Sequence, residues 1–368
     1  MEKLLYLAGL QTLAGIGSVR MKALVDYFGG PQNAWEAKAA DLRSVEGMGE
    51  VLCNNFVKQR EKINLEKLGE ELRQKKIQLC SIEDEEYPDL LQNIYNPPYI
   101  FYYRGVLPRT EKIIAMVGSR EASHYGKSAA RMIASDLAQH GVSIVSGAAR
   151  GIDTAAHEGA LAKGSTVAVL GCGLDIVYPP ENRVLLENIL ERGAVISEYA
   201  PGTPPMPGNF PARNRIISGM AKGTVIVEAG VKSGALITAA FAAEEGRDVF
   251  AVPGNIFSYT CKGTNNLIKD GAQLIDNAFD IMAEYSWLEN IKDGERPAQK
   301  KAREHNAPEV FGEEKSVYDL LDYETPLSLE EIVQKANLPL TKVSYILLQL
   351  GLRGLINELN GRTFIRRT

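Results

Sequence analysis

The stretch KIIAMVGSR, residues 112–120, is an apolar run that stops abruptly at Gly118-Ser119-Arg120. Its composition reads as a strand buried on both faces, with a tight turn at its carboxyl end. Working outward, the same pattern recurs. VSIVSGAA (142–149), STVAVLGCG (165–173), AVISEY (194–199), TVIVEAG (224–230), RDVFAVPG (247–254) and AQLID (272–276) are further apolar runs. Helix-length segments separate most of them, and Gly141, Gly164, Gly193, Gly223, Gly246 and Gly271 stand where each helix should stop. Strands alternating with helices predict an extended Rossmann-like domain, α/β in class, with a doubly wound, mostly parallel sheet covered on both faces.

The loops after these strands share a chemistry. Gly118-Ser119-Arg120, SGAARGID (146–153), NFPARNR (209–215), KSGALIT (232–238) and Lys262-Gly263-Thr264-Asn265 each join small residues to Arg, Lys, Ser or Asn. In a parallel sheet such loops converge outside the carboxyl ends of the strands. Small residues let backbone N–H groups turn outward, and Arg adds a bidentate phosphate donor. Asp153 or Thr154 is expected to cap the helix after Arg150-Gly151, whose N-terminus would be a second anion site. Phe210 is placed to stack on a base. A mononucleotide needs one cradle, whereas a nucleic-acid strand needs several in a row plus aromatic stacking. The spread from Arg120 to Lys262 predicts a strand.

Catalytic patterns are incomplete. Gly126-Lys127-Ser128 resembles the end of a P-loop, but Gly118 stands too far upstream for Gly-x4-Gly-Lys. Gly171-Cys172-Gly173 lacks the third glycine of a dinucleotide fingerprint. His124 and His157 have no evident nucleophile partner and read as structural. Asp175 and Glu228 could serve a nucleotide hydrolase as acid and base; capping a loop, or pairing with Arg213 or Arg215, is the simpler expectation. The rival reading is therefore an enzyme such as a nucleoside-phosphate hydrolase on a similar sheet. No catalytic residue, metal or cofactor is assigned.

The chain has 368 residues, 45% hydrophobic and 24% charged, with a formal net charge of −5. Those values describe a globular protein whose polyanion binding needs local basic patches. The four cysteines, Cys53, Cys80, Cys172 and Cys261, are scattered, which argues against a disulfide or zinc framework and suits a reducing cytoplasm. The start carries no signal-peptide pattern, and no run has the length of a membrane span.

Residues 1–75 read as a helical domain. Gly15-Ile16-Gly17 and Gly47-Met48-Gly49 each precede a helix candidate, the helix-hairpin-helix pattern of a SAM-like module. It could touch DNA phosphate or serve as a packing and interaction module, and its basic residues, Arg20 and Lys22, are few. Residues 76–289 form the Rossmann-like domain. Its first part, 77–108, is broken by Pro88, Pro97 and Pro98 and contributes YIFYYRG as an edge strand. The aromatics Tyr99, Phe101, Tyr102 and Tyr103 are expected in a core or interface. Residues 290–308 are polar and read as a linker. Residues 309–368 predict three helices and a hairpin turning at Asn360-Gly361, a winged helix. Its third helix offers Lys342, Ser344, Tyr345 and Gln349 outward; Arg362, Arg366 and Arg367 could grip phosphate from the wing. Base readout by such a helix looks poor.

Taken together, VGSREASHYG, SGAARGIDTAAHEGAL, GCGLDIVYPPEN, the run from SEYAPG to FAVPG, and GTNNLIKDGA closely resemble the DprA/Smf family of DNA-processing proteins. The resemblance covers the whole central domain. It implies a cytoplasmic homodimer, not known as an enzyme, that binds single-stranded DNA during natural transformation, protects it and loads the RecA recombinase. Carried over residue by residue, the binding pocket falls on Gly118, Ser119, Arg120, Ser146, Gly147, Gly151, Phe210, Arg213, Asn214, Arg215, Ser233 and Gly234. Arg150 and Lys262 join them as phosphate contacts on the reading of the loops. Several members carry Lys where this chain has Pro207, which would weaken one phosphate contact or move it to Arg213.

Overall fold

The computed structural model describes residues 2–288, 310–323, 325–359 and 361–366. It divides into two compact units, Met1–Ala122 with Ala130–Ile281, and Ser123–Ala129 with Met282–Thr368. The proposed linker, Asn360 and Arg367 lie outside the described residues.

Helices α1 (Glu2–Thr12), α2 (Ser18–Phe28), α3 (Pro31–Glu36), α4 (Ala39–Leu42), α5 (Glu50–Arg60) and α6 (Leu65–Gln74) open the first unit. The two glycine turns are built as the spacing predicts: Gly15 and Gly47 adopt positive φ, and Gly17 and Gly49 are the N-caps of α2 and α5. The basic residues there are engaged internally. Arg20 ties the turns together, donating from Nη1 to Gly15 O (2.7 Å) and from Nε to Gly47 O (3.1 Å). Lys22 pairs with Asp26.

Among the described residues, nine strands make one sheet: β1 (Gln78–Ser81), β2 (Ile100–Gly105), β3 (Ile113–Val117), β4 (Ser143–Ser146), β5 (Thr166–Leu170), β6 (Ala194–Ser197), β7 (Gly223–Ile226), β8 (Asp248–Ala251) and β9 (Gln273–Leu274). Their spatial order is β1-β2-β6-β5-β4-β3-β7-β8-β9. The seven apolar runs of the sequence become the parallel strands β3 to β9. YIFYYRG is not an edge strand: β2 lies between β6 and β1 and is antiparallel to both. The true edge, β1, escapes notice because it has four residues and begins and ends on Gln78 and Ser81.

Period-two alternation divides the strand side chains between the two faces. Val167 and Val169 pack on one side with Ile216, Ile217, Ala235 and Ala239. Ala168 and Leu170 pack on the other with Leu185, Leu186 and Ile189. These layers come from helices α8 (His124–Gln139), α9 (Ile152–Lys163), α10 (Arg183–Arg192), α11 (Asn209–Gly219) and α12 (Ala235–Glu244); α7 (Asp89–Gln92), α13 (Lys262–Lys269) and α14 (Ala278–Glu284) complete the helical set. Gly126, Lys127 and Ser128 lie inside α8, so no phosphate loop forms there. Tyr99, Phe101 and Tyr102 are core residues. From β3 the chain builds outward to β6, then returns to place β7 on the other side of β3. That reversal makes the carboxyl ends of β3 and β7 the switch point of the sheet, where such folds open a crevice.

The second unit contains α15 (Gly312–Leu320), α16 (Leu329–Ala336) and α17 (Leu340–Leu352), with β10 (Leu327–Ser328), β11 (Ile356–Leu359) and β12 (Thr363–Arg366) in the order β10-β12-β11. This is the winged helix foreseen in the sequence. A reciprocal capping box at Ser328 and Glu331 starts α16.

Candidate functional site

The switch point opens into a cleft of about 590 Å³. Gly118, Ser119 and Arg120 line it from the end of β3, Phe210, Arg213 and Asn214 from α11, and Ser233 and Gly234 from the loop before α12. A recess of about 30 Å³ adjoins it, lined by Gly147 and Arg150 together with Arg120, Phe210 and Arg213. Ten of the residues singled out in the sequence therefore meet at one place.

Helix α11 explains part of this convergence. Phe210, Arg213 and Asn214 stand at i, i+3 and i+4, one face of a helix. Arg215 lies well round from that face. It points instead to Glu198, donating from Nη2 to both carboxylate oxygens at 2.7 Å. Lys262 begins α13, exposed and outside the cleft wall. Ser146 is fully buried and donates to Met116 O (2.6 Å), tying β4 to β3. Gly151 is a packing requirement: its φ is +78°, and a Cβ there would meet Ser119 O at 2.2 Å.

The cleft wall is aromatic and cationic. The Arg120 guanidinium lies 5.4 Å from the Phe210 ring centroid. On the same ring, Tyr178 packs at 5.4 Å with the planes inclined by 36°. Tyr178, which is 38% exposed, was not foreseen; the signal was an aromatic immediately before Pro179-Pro180. Arg120 is exposed and has no ion pair among the described residues. Pro207 lines the cleft where some relatives were expected to carry Lys.

Most of the anticipated backbone cradles are closed on themselves. Ser119 N donates to Glu228 O (2.7 Å), and Ser119 O accepts from Ile152 N (3.1 Å). Ser233 Oγ accepts from Ala235 N (3.3 Å). The clearest case follows β4. Asp153 does not cap α9, whose N-cap is Gly151. Its Oδ2 reaches back to accept from Gly147 N (3.2 Å) and Ala149 N (3.3 Å). A carboxylate of the protein thus takes two loop amides that would otherwise be open to an anion.

Arg213 completes this buried arrangement. It is 4% exposed and donates from Nη1 to Gly147 O (2.9 Å) and to Val169 O. A Cβ on Gly147 would come within 2.7 Å of both Arg213 Nη2 and Asp153 Oδ2, so only glycine fits. Burial raises the Asp153 carboxyl to about 6, although Arg213 and the two amides oppose the shift. Burial also lowers Arg213 to about 10, with Asp153 opposing. The partners expected for the arginines are therefore replaced. Asp153 faces Arg213 and Glu198 takes Arg215, whereas Asp175 pairs with Lys75 (2.8 Å) and accepts from Gly202 N (2.8 Å). Glu228 is wholly buried.

His157 is a packed core histidine. Thr166 Oγ1 donates to Ile144 O (2.7 Å), so it accepts the proton of His157 Nδ1 (2.7 Å). Burial holds His157 neutral, with its pKa lowered to about 3. Among the described residues no group of His, Cys, Asp and Glu could hold a metal, and no helix is long and apolar enough to cross a membrane.

In the second unit the cations of α17 are neutralised. Lys342 pairs with Glu313 (2.5 Å) and Arg353 with Glu314 (2.7 Å). The outward face of α17 shows Ser344, Tyr345, Leu348 and Leu352, while Gln349 is half-buried. Arg366 packs 4.3 Å from the Tyr318 ring and donates to Tyr318 O; Arg362 stays exposed at the hairpin.

A mostly parallel sheet whose switch-point cleft sets an exposed guanidinium over an aromatic ring defines a Rossmann-like protein with a cationic, aromatic cleft. The chain belongs to the DNA recombination-mediator protein A family, which residues 78–286 match, and residues 301–362 match the DprA winged helix domain. It is 35% identical to Protein Smf of Synechocystis sp. over 395 residues, an alignment spanning 100% of this chain and 99% of that one. Identity to DNA processing protein DprA of Streptococcus pneumoniae is 44%, over 56% of this chain and 74% of its length. Among solved structures, S. pneumoniae DprA superposes with a TM-score of 0.67 at 36% identity, covering 76% of this chain and 97% of that one. DNA processing protein A of Helicobacter pylori superposes with a TM-score of 0.52 at 32% identity, covering 57% and 96%. The H. pylori protein is described as having a unique single-stranded DNA binding mode.

Proposed function

We propose that this protein binds single-stranded DNA in the switch-point cleft and acts without catalysis of its own. It would protect DNA entering during natural transformation and load RecA onto it, working as a cytoplasmic homodimer. The reading rests on the wall of Arg120, Phe210 and Tyr178: an exposed cation and two aromatic faces suit a phosphate and its neighbouring bases. Two amides after β4 that would otherwise be open to an anion are taken by Asp153, which speaks against the hydrolase alternative. Gly118, Ser119, Arg120, Gly147, Arg150, Phe210, Arg213, Asn214, Ser233 and Gly234 are the proposed contacts at or beside the cleft; Lys262 would extend the path beyond it.

The test is fluorescence anisotropy with labelled oligo(dT) and a matched duplex across a salt series. Tight, salt-sensitive binding of the single strand, and no release of base or phosphate from mononucleotides, is expected. Preference for duplex, or nucleotide turnover, would overturn the reading. A RecA filament assay on DNA coated by a single-strand binding protein tests the loading step.

A further inference from the structure

Helix α11 brings Phe210, Arg213 and Asn214 to the cleft, and its placement depends on the loop after β6. Glu198 and Tyr199, adjacent in sequence, hold it at two points. Tyr199 Oη donates to Asn209 O (3.4 Å) at the start of the helix. Glu198 accepts from Arg215 Nη2 with both oxygens, one and a half turns further on. Phe210, Arg213 and Asn214 lie between these two holds. The Arg215–Glu198 pair is largely buried, with side chains 14% and 15% exposed, and Arg215 Nη1 has no hydrogen-bond partner among the described residues. A buried guanidinium left partly unsatisfied is retained at a cost, so its orientation is set by the one carboxylate it has.

Glu198 is in turn held from the N-terminal helices. Ser18 Oγ, at the first position of α2, donates to Glu198 Oε1 (2.8 Å) and accepts from Tyr99 N (3.1 Å). Gln11, near the end of α1, donates to Glu198 O and to Ile100 O. A continuous chain of hydrogen bonds therefore runs from α1 and α2, through Glu198, to the helix that presents the cleft.

We infer that Glu198 and Ser18 are positioning residues for the DNA-binding face of α11, and that Arg215 acts through Glu198 rather than by touching phosphate. The N-terminal helices thereby set the geometry of a site that they do not line. This inference rests on the proposed single-stranded DNA binding.

The test uses the full chain and oligo(dT). Glu198→Gln keeps the shape and loses the charge; its affinity should fall about tenfold, the size of coupling seen within one hydrogen-bond network. The slope of log affinity against log salt should stay unchanged, because no phosphate contact is lost. Ser18→Ala, a smaller change at a helix start, should weaken binding about threefold in the same way. In a Phe210→Ala background the effect of Glu198→Gln should shrink, since the group being positioned is gone. Wild-type affinity in both folded single variants overturns the inference. So does full additivity with Phe210→Ala, or a slope for Arg215→Gln shallower by about 0.7, the mark of one lost phosphate contact. Failure of the unmodified protein to bind single-stranded DNA would instead overturn the proposed function.

Discussion

Two surfaces of this chain invite comparison as seats for DNA, the carboxyl edge of the sheet and the outward face of α17. Both carry arginine or lysine, and a winged helix has the better reputation as a DNA reader. Most arginines at the sheet edge are engaged, Arg150 with Glu181, Arg213 with Gly147 O and Arg215 with Glu198, and Arg120 is what sets that edge apart. Arg120 stands exposed over Phe210, whereas Lys342 and Arg353 are paired with Glu313 and Glu314 from α15. The number of basic residues therefore says less than what each one already touches. An ion-paired lysine carries its carboxylate partner with it, and that negative charge repels the phosphate the lysine would otherwise attract.

The sharpest way to break this comparison is at the sheet edge. Arg120→Ala should reduce single-stranded DNA affinity by roughly 1–3 kcal/mol and make the salt slope shallower by about 0.7, with little dependence on base sequence. Phe210→Ala should cost a similar 1–3 kcal/mol through lost stacking, with the salt slope unchanged. Equal salt slopes for Arg120→Ala and the unmodified protein would remove Arg120 as a phosphate contact.

A second test concerns the buried pair of titrating groups beneath the cleft. Asp153 has its pKa raised from 3.8 to about 6, so its native form binds the extra proton and its contribution to stability is lost as pH rises through 6. His157 is lowered from 6.5 to about 3, so its contribution is present above 6.5 and lost as pH falls toward 3. Between pH 4 and 6 the two slopes oppose each other. Asp153→Asn removes one of them. Its stability relative to the unmodified protein should therefore become less favourable on acidification, by about 1.4 kcal/mol per pH unit over that window. Urea midpoints of both proteins from pH 4 to 6 check this, and a constant difference would refute the assignment. The smallest effect is expected in the winged helix. Lys342→Ala and Arg353→Ala should leave single-stranded DNA affinity within about twofold, as screened surface pairs contribute little. A large loss would restore α17 as a DNA-binding element.

Much of the fold is legible because its strands are buried on both faces. Such strands leave uninterrupted apolar runs, and the glycines that end the intervening helices mark their limits. β1 is the exception, since four residues at an edge have no such signature. The cleft residues are legible as a chemical theme on loops that topology must bring together. What separates Arg213 and Arg215 from Arg120 is not visible in composition. Arg215 could have been set apart by placing the start of α11 at Asn209, since helical spacing groups Phe210 with Arg213 and Asn214 only. Glu198 and Asp153 as partners depend on which loops meet in space, and sequence proximity misleads: Asp153 looks like a cap for the helix that follows it, yet it bonds to the loop before.

That backward-reaching aspartate has a consequence for how the protein would behave in a living cell. In many nucleotide-binding folds the loop after an early strand is open to the phosphates of ATP or NAD. Here the loop carries its own permanent tenant in Asp153. On the proposed reading, a molecule so furnished would respond little to metabolic state. Its occupancy would follow the presence of a strand, and the cell's abundant free nucleotides would be poor competitors for it.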